Sequence, residues 1–149
     1  ILLCGGAAVR ELPGFDAGLF FVQDEASQLA VEALDAGPGM RVLDVCACPG
    51  SKSFGLAMEM GNCGELLACD LHRSKLSLVA DGARRLGIEI LSTLERDARS
   101  GLPGFEAGAD RVLCDVPVTK ADLARLGHGG LCLGCGECRY PICPFGKEE

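Results

Sequence analysis

Apolar residues recur along this chain in two alternating rhythms. Ala26, Leu29, Ala30, Ala33 and Leu34 follow the three-and-four spacing of a helical face, and Asp24 and Glu25 put negative charge at its start, so a helix is predicted from about Asp24 to Ala36. Gly37-Pro38-Gly39 stops it. Arg41 to Cys46 then reads as a short strand of the kind buried on both faces of a parallel sheet. A loop from Ala47 to Ser51 leads into a second helix reaching Met60, with Phe54, Ala57 and Met58 as its apolar side, and Asn62-Cys63-Gly64 supplies a turn. The unit then repeats: Glu65 to Cys69 is a strand ending in Asp70, and Ser74 to Leu86 carries Leu76, Val79, Ala80, Ala83 and Leu86 at helical spacing before Gly87. Ile88 to Leu94 is a third strand, Gly101 to Gly108 a surface connection, and Arg111 to Cys114 a fourth strand ending at Asp115. Strands alternating with helices through short connections imply an α/β fold with a parallel sheet and right-handed crossovers.

After Pro117 the pattern changes. Thr119 is placed to cap a short helix whose apolar side is Ala121, Leu123, Ala124 and Leu126, and residues 127–146 are dominated by glycine, cysteine and proline. The expected organisation is a lead-in segment over 1–23, an α/β unit over 24–117 and a cysteine-rich tail over 118–149. The 149 residues suit one compact domain, and a net charge of −7 argues against a free-standing nucleic-acid binder. The longest stretch without Asp, Glu, Lys or Arg runs from Leu126 to Gly136, far short of a bilayer-spanning helix, so no membrane association is expected. No secretory signal opens the chain, which begins at Ile1 and reads as a fragment.

Ten cysteines divide into two sets. Cys4, Cys46, Cys48, Cys63, Cys69 and Cys114 are scattered, mostly in apolar strand-like contexts where a free thiol behaves as a small hydrophobe. A reducing, cytoplasmic setting accounts for them more simply than a disulfide scaffold. Cys132, Cys135, Cys138 and Cys143 crowd the last 18 residues.

In open parallel sheets ligands bind beyond the carboxyl ends of the strands, where strand order reverses. Asp70, Asp97 and Asp115 fall at or just past three such ends. The first strand is followed by Cys46-Ala47-Cys48-Pro49-Gly50-Ser51-Lys52, small residues entering a helix whose N–H groups can hold an anion. Together they suit an adenosine-type ligand: the loop for a carboxylate or phosphate, Asp70 for ribose hydroxyls, Asp97 for a base amino group. Taken singly, each Asp reads as a cap or solvated turn residue; their joint placement counts against that. Lys52 stands in a first helical turn, where the dipole disfavours a cation, so it calls for a partner such as a carboxylate. The loop lacks the Gly-x-Gly-x-x-Gly dinucleotide fingerprint, which disfavours nicotinamide binding.

These residues also carry a resemblance. Phe21-Val22-Gln23-Asp24-Glu25-Ala26-Ser27-Gln28-Leu29-Ala30, Val42 to Ser53, Asp70-Leu71-His72, Asp97-Ala98 and Asp110 to Pro117 resemble the Sun/Nop-type RNA cytosine-C5 methyltransferases, especially the bacterial ribosomal-RNA members. The resemblance covers about residues 12–117. It implies a partial class I, Rossmann-like methyltransferase fold, RNA as partner, and S-adenosylmethionine held by Cys46, Ala47, Cys48, Pro49, Gly50, Ser51, Lys52, Asp70, Asp97 and Asp115. Cys48 and Ser51 depart from the family's usual Ala and Gly, but both are small.

Cytosine C5 is a poor nucleophile, so its methylation needs a thiolate to add at C6 before the methyl group moves. In the resembled family one cysteine directly follows the Asp-x-Pro segment and assists release, while the nucleophile lies further along. Here Asp115-Val116-Pro117 is followed by Val118. Cys114, beside Asp115, alternates to the opposite side and reads as a core residue. Cofactor binding without methyl transfer is therefore expected. RNA binding is expected to be weak without a basic accessory domain, and an exposed sheet edge is expected to favour oligomerisation or poor solubility.

The tail spacing Cys132-x2-Cys135-x2-Cys138-x4-Cys143-Pro144 approaches an iron–sulfur run with its last gap one residue longer, and equally suits a tetrahedral zinc, with His128 as a nitrogen donor. An unligated reduced tail or adventitious disulfides are the plainer readings. Leu126 to Cys132, Cys138-Arg139-Tyr140-Pro141 and Cys143 to Lys147 are similar to a cysteine-rich tail of some molybdopterin-binding proteins. The competing functional readings are thus a metal or iron–sulfur module carried on an α/β domain, and a non-catalytic nucleotide-binding protein.

Overall fold

The structure is a computed structural model that describes residues 8–97, 100, 104–105 and 108–115. After a short 3-10 turn at Val9–Glu11, the elements are α1 (Glu25–Leu34), β1 (Arg41–Asp44), α2 (Ser51–Glu59), β2 (Glu65–Asp70), α3 (Arg73–Leu86), β3 (Leu91–Glu95) and β4 (Arg111–Leu113). The predicted alternation is borne out. All pairings are parallel, in the order β3-β2-β1-β4, with Leu43 opposite Leu67 and Val112.

Topology decides which face each element covers. Right-handed crossovers that step β1 to β2 to β3 in one direction place α2 and α3 on one face, and the return from β3 to β4 must cross the other. Val31, Leu56, Ala57 and Met60 accordingly pack on Val42, Leu66 and Leu113, while Phe54, Leu76, Val79 and Ala83 gather around Ala68. On the opposite face Leu43, Leu67 and Cys69 pack against Phe105 of the β3–β4 connection. The sequence pattern puts that connection at the surface, yet Phe105 is buried because it is the apolar cover of that face.

Several boundaries and faces differ from the sequence pattern. In α1 the period is right and the phase is wrong: Ser27 and Val31 are buried with Leu34 partly so, whereas Ala26, Leu29 and Ala33 are exposed. Asp24 sets this phase as the N-cap, accepting from the Ser27 N–H at 2.8 Å and from its hydroxyl at 2.7 Å, and these bonds hold its carboxyl below the ordinary range. In α2 Phe54 and Ala57 are buried as the spacing predicts, Met58 is exposed, and Leu56 and Met60 join the buried side. β1 ends at Asp44 because the Cys46 N–H turns back to the Asp44 carboxylate at 3.3 Å. β3 starts at Leu91 instead of Ile88, since the Ile88 N–H bonds to Ala83 O and those of Glu89 and Ile90 reach the Asn62 side chain. Cys114 is exposed beyond the end of β4, so the core role expected for it fails.

The lead-in is tied to α3. Arg85 donates to the carbonyls of Phe15 and Phe20 and stacks 3.9 Å over the Phe15 ring. Gly18 fits beneath because a Cβ there would overlap the Arg85 carbonyl. No described helix is long and apolar enough to cross a membrane.

Candidate functional site

Strand order reverses between β1 and β4, so the crevice that accepts ligands in such sheets opens beyond Asp44 and Leu113. The loop after β1 occupies one side of it. The Ala47 N–H is fastened to Cys69 O at 2.9 Å, and Cys48–Pro49 is a cis peptide. Gly50 then enters α2 at φ +111°, a conformation that strains any side chain, and a Cβ there would lie 2.7 Å from Phe54 Cζ. The Phe54 ring is wedged under the loop, edge-on to Phe21 at 5.8 Å and close enough to Gly82 that a Cβ there would lie 2.4 Å away. No side chain caps the N-terminus of α2. Its free N–H groups and positive dipole end therefore face the loop, which fits the carboxylate of an amino-acid ligand.

Beneath the loop lies Asp44, almost fully buried, accepting from the Ser53 hydroxyl at 2.7 Å. Burial raises its carboxyl above the ordinary value, against the lowering effect of Ser53 and the Cys46 N–H. This residue was visible only as part of the β1 run, and nothing local marked it as the anchor of the loop. Asp70 closes β2 as predicted. Burial alone would raise its pKa, but the His72 N–H at 2.9 Å and the Cys48 thiol and N–H outweigh it and hold the carboxyl below the ordinary value. Asp70 thereby joins the β1 loop to the start of α3.

The Lys52 ammonium lies 2.9 Å from the Asp115 carboxylate, so the partner that its helical position called for comes from the far side of the crevice. Asp97 stands past β3 and lines an open cavity of about 410 Å³ with Leu71, Glu95, Arg96 and Ser100. Leu71, next to Asp70 and 59% exposed, offers that cavity an apolar surface. Sequence reasoning passed over it, although an exposed leucine directly after a strand-end carboxylate was the available signal.

Three of the described thiols, Cys46, Cys48 and Cys69, are poorly placed to ionise. Burial, followed by the hydrogen bond to Asp70, pushes Cys48 up to about 12. Burial lifts Cys69 to about 11 and also raises Cys46. Among the described residues no group of three His, Cys, Asp or Glu is arranged to hold a metal ion. His128, Cys132, Cys135, Cys138 and Cys143, with the boundary expected near residue 118, lie outside the described residues.

The chain is similar in sequence and fold to known methyltransferases. A sequence model described as 16S rRNA methyltransferase RsmB/F matches residues 31–125. The probable ribosomal RNA small subunit methyltransferase B of Bacillus subtilis is 41% identical over 126 residues, covering 79% of this chain and 28% of that protein. The tRNA (cytosine(72)-C(5))-methyltransferase of Pyrococcus horikoshii is 30% identical over 112 residues, covering 75% of this chain and 28% of that protein. Among solved structures, NSun6 from Pyrococcus horikoshii with SFG superposes with a TM-score of 0.69 at 30% identity, covering 74% of this chain and 29% of that one. The chain thus spans little more than a quarter of the length of these relatives.

Proposed function

We propose, because this chain belongs to the 16S rRNA methyltransferase RsmB/F family, that its described unit is the S-adenosylmethionine-binding part of an RNA cytosine-C5 methyltransferase. The observation that carries this reading is the convergence of the uncapped α2 N-terminus, Asp70 and the Leu71–Asp97 cavity at the carboxyl edge of the sheet. In this reading the N–H groups over Gly50 to Lys52 would hold the methionine carboxylate, Asp70 would accept from the ribose hydroxyls, and Leu71 and Asp97 would receive the adenine base. Cys46, Ala47, Cys48 and Pro49 shape the loop, and Asp115 closes the crevice through Lys52. Bound there, S-adenosylmethionine would carry the activated methyl group that the family's reaction uses.

We further propose that these 149 residues bind the cofactor without completing methyl transfer. Val118 stands where the family places its release cysteine, and the raised pKa values of Cys46, Cys48 and Cys69 keep those thiols protonated near neutral pH. RNA is the partner this reading implies, contacted weakly by so acidic a chain, and its setting is the reducing cytoplasm.

Titration calorimetry with S-adenosylmethionine tests the first part: the wild-type chain binds and Asp70→Ala binds more weakly, whereas no binding by the wild type overturns it. Incubation with unmodified ribosomal RNA and labelled cofactor tests the second, which methyl transfer to cytosine C5 would sink.

A further inference from the structure

The segment from Phe21 to Ala30 carries part of the family resemblance, yet none of its residues has a part in the proposed cofactor site. We propose that Gln23 is a positioning residue for that site: by holding the Ser51 carbonyl it aims the Lys52 N–H at the carboxylate end of the ligand. The consequence for the ligand rests on the cofactor-binding reading, whereas the contact itself does not.

The Gln23 Nε2 donates to Ser51 O at 3.3 Å, joining residues 28 positions apart. Ser51 opens α2, and its C=O shares one rigid, planar peptide group with the Lys52 N–H, the two pointing opposite ways across a trans bond. A bond that fixes the carbonyl therefore fixes the direction of the N–H. That N–H is one of those a helix start leaves without a partner inside the helix, since the turn closes only with the Phe54 N–H on Gly50 O at 2.9 Å.

Gln23 is itself held from both sides. The Gln28 Nε2 donates to Gln23 O at 3.1 Å, and the next residue, Asp24, caps α1. Two positions back, Phe21 meets Phe54 edge-on at 5.8 Å, and before it Phe20 O accepts from Arg85 of α3. Phe21 and Gln23 are partly buried while Val22 and Asp24 are exposed, so both inward side chains of this segment reach α2. The helix leaves room for the amide: a Cβ on Gly55, one turn beyond Ser51, would lie 3.5 Å from Gln23 Oε1 and 3.1 Å from Val31 Cγ2. The lead-in thus fastens the first turn of α2 to α1 and α3, and Gln23 is its polar contact with that turn.

Calorimetry on the full-length chain compares two ligands, S-adenosylhomocysteine and methylthioadenosine, which keeps the nucleoside and thioether but lacks the amino-acid carboxylate. S-adenosylhomocysteine is expected to bind roughly three- to tenfold more weakly to Gln23→Leu, with methylthioadenosine affinity unchanged. Gln23→Glu keeps the side-chain length but turns an ionised oxygen toward the Ser51 carbonyl, and the same split is expected. Equal losses for both ligands, or none for either, overturn the role toward the carboxylate. A measurement without ligand decides the contact: the NMR resonances of the Ser51 carbonyl carbon and the Lys52 amide nitrogen are expected to move in Gln23→Leu, and resonances that stay in place overturn it. Failure of the wild type to bind S-adenosylhomocysteine defeats the cofactor reading and leaves those resonances to decide whether Gln23 holds the peptide.

Discussion

The Lys52 Nζ sits 2.9 Å from Asp115 Oδ2, joining the first turn of α2 to a residue two positions past β4, across the point where strand order reverses. The pair offsets the unfavourable placement of a cation at a helix N-terminus. With the Asp115 side chain 52% exposed, solvent screens the attraction, so its effect on stability is small. For Asp115→Asn, urea unfolding is expected to lose under about 1 kcal/mol, while the affinity for S-adenosylhomocysteine drops roughly three- to tenfold as Lys52 loses its anchor. A stability loss with unchanged affinity would show that the pair only holds the fold.

Asp70 links two elements and, in the proposed site, the ribose. Replacement by Ala removes a charged acceptor, with an expected affinity loss of roughly ten- to a hundredfold in calorimetry. Its depressed pKa also fixes a pH effect. The stabilising contribution is complete above the unfolded value of about 3.9 and is lost as pH falls through the lower folded value. Wild-type stability is therefore expected to fall more steeply below about pH 4 than that of Asp70→Asn, as read from urea midpoints across an acid series.

Asp44 behaves in the opposite sense. Its folded pKa is raised, mainly by burial, so the folded state resists ionisation and stability declines as pH rises from about 3.9 to the folded value. Asp44→Asn keeps an acceptor for the Cys46 N–H and a partner for the Ser53 hydroxyl without the charge. The variant is expected to gain on the wild type steadily across that window, measured as the difference in unfolding free energy against pH. Parallel curves would contradict the assignment.

Gly82 lies in the middle of α3, where Ala ordinarily adds helix stability. Here an added Cβ would lie 2.4 Å from Phe54 Cζ, and Phe54 is buried beneath Gly50 of the loop. Overpacking outweighs propensity, so Gly82→Ala is expected to lose about 1–3 kcal/mol in urea unfolding. Cofactor affinity should drop with it, because the displaced ring carries the loop.

Much of the site was legible because its marks are local. Strand-end carboxylates and a run of small residues before a helix are positions in a linear order, and Asp70, Asp97, Asp115 and the Cys46 to Lys52 loop are picked out as candidates that way. Asp44 and Leu71 were missed for complementary reasons. Burial under a loop and exposure beside a cavity are properties of packing, which a strand-like run of residues does not announce. Cys114 was misjudged because alternation holds only while the chain stays in the ladder, and β4 ends at Leu113.

By itself the sequence determined the alternation of strands and helices, the parallel class of the sheet and the family, because hydrophobic period, turn residues and motif spacing are written along the chain. Tertiary structure decided the rest. It rotated the buried face of α1 onto Ser27 and Val31, assigned Phe105 to cover the far side of the sheet, and brought Asp115 to Lys52. The physical reason is that periodicity constrains which residues share a face, whereas phase and pairing depend on what that face meets. Residues 63 positions apart form an ion pair only because parallel pairing sets β4 beside β1.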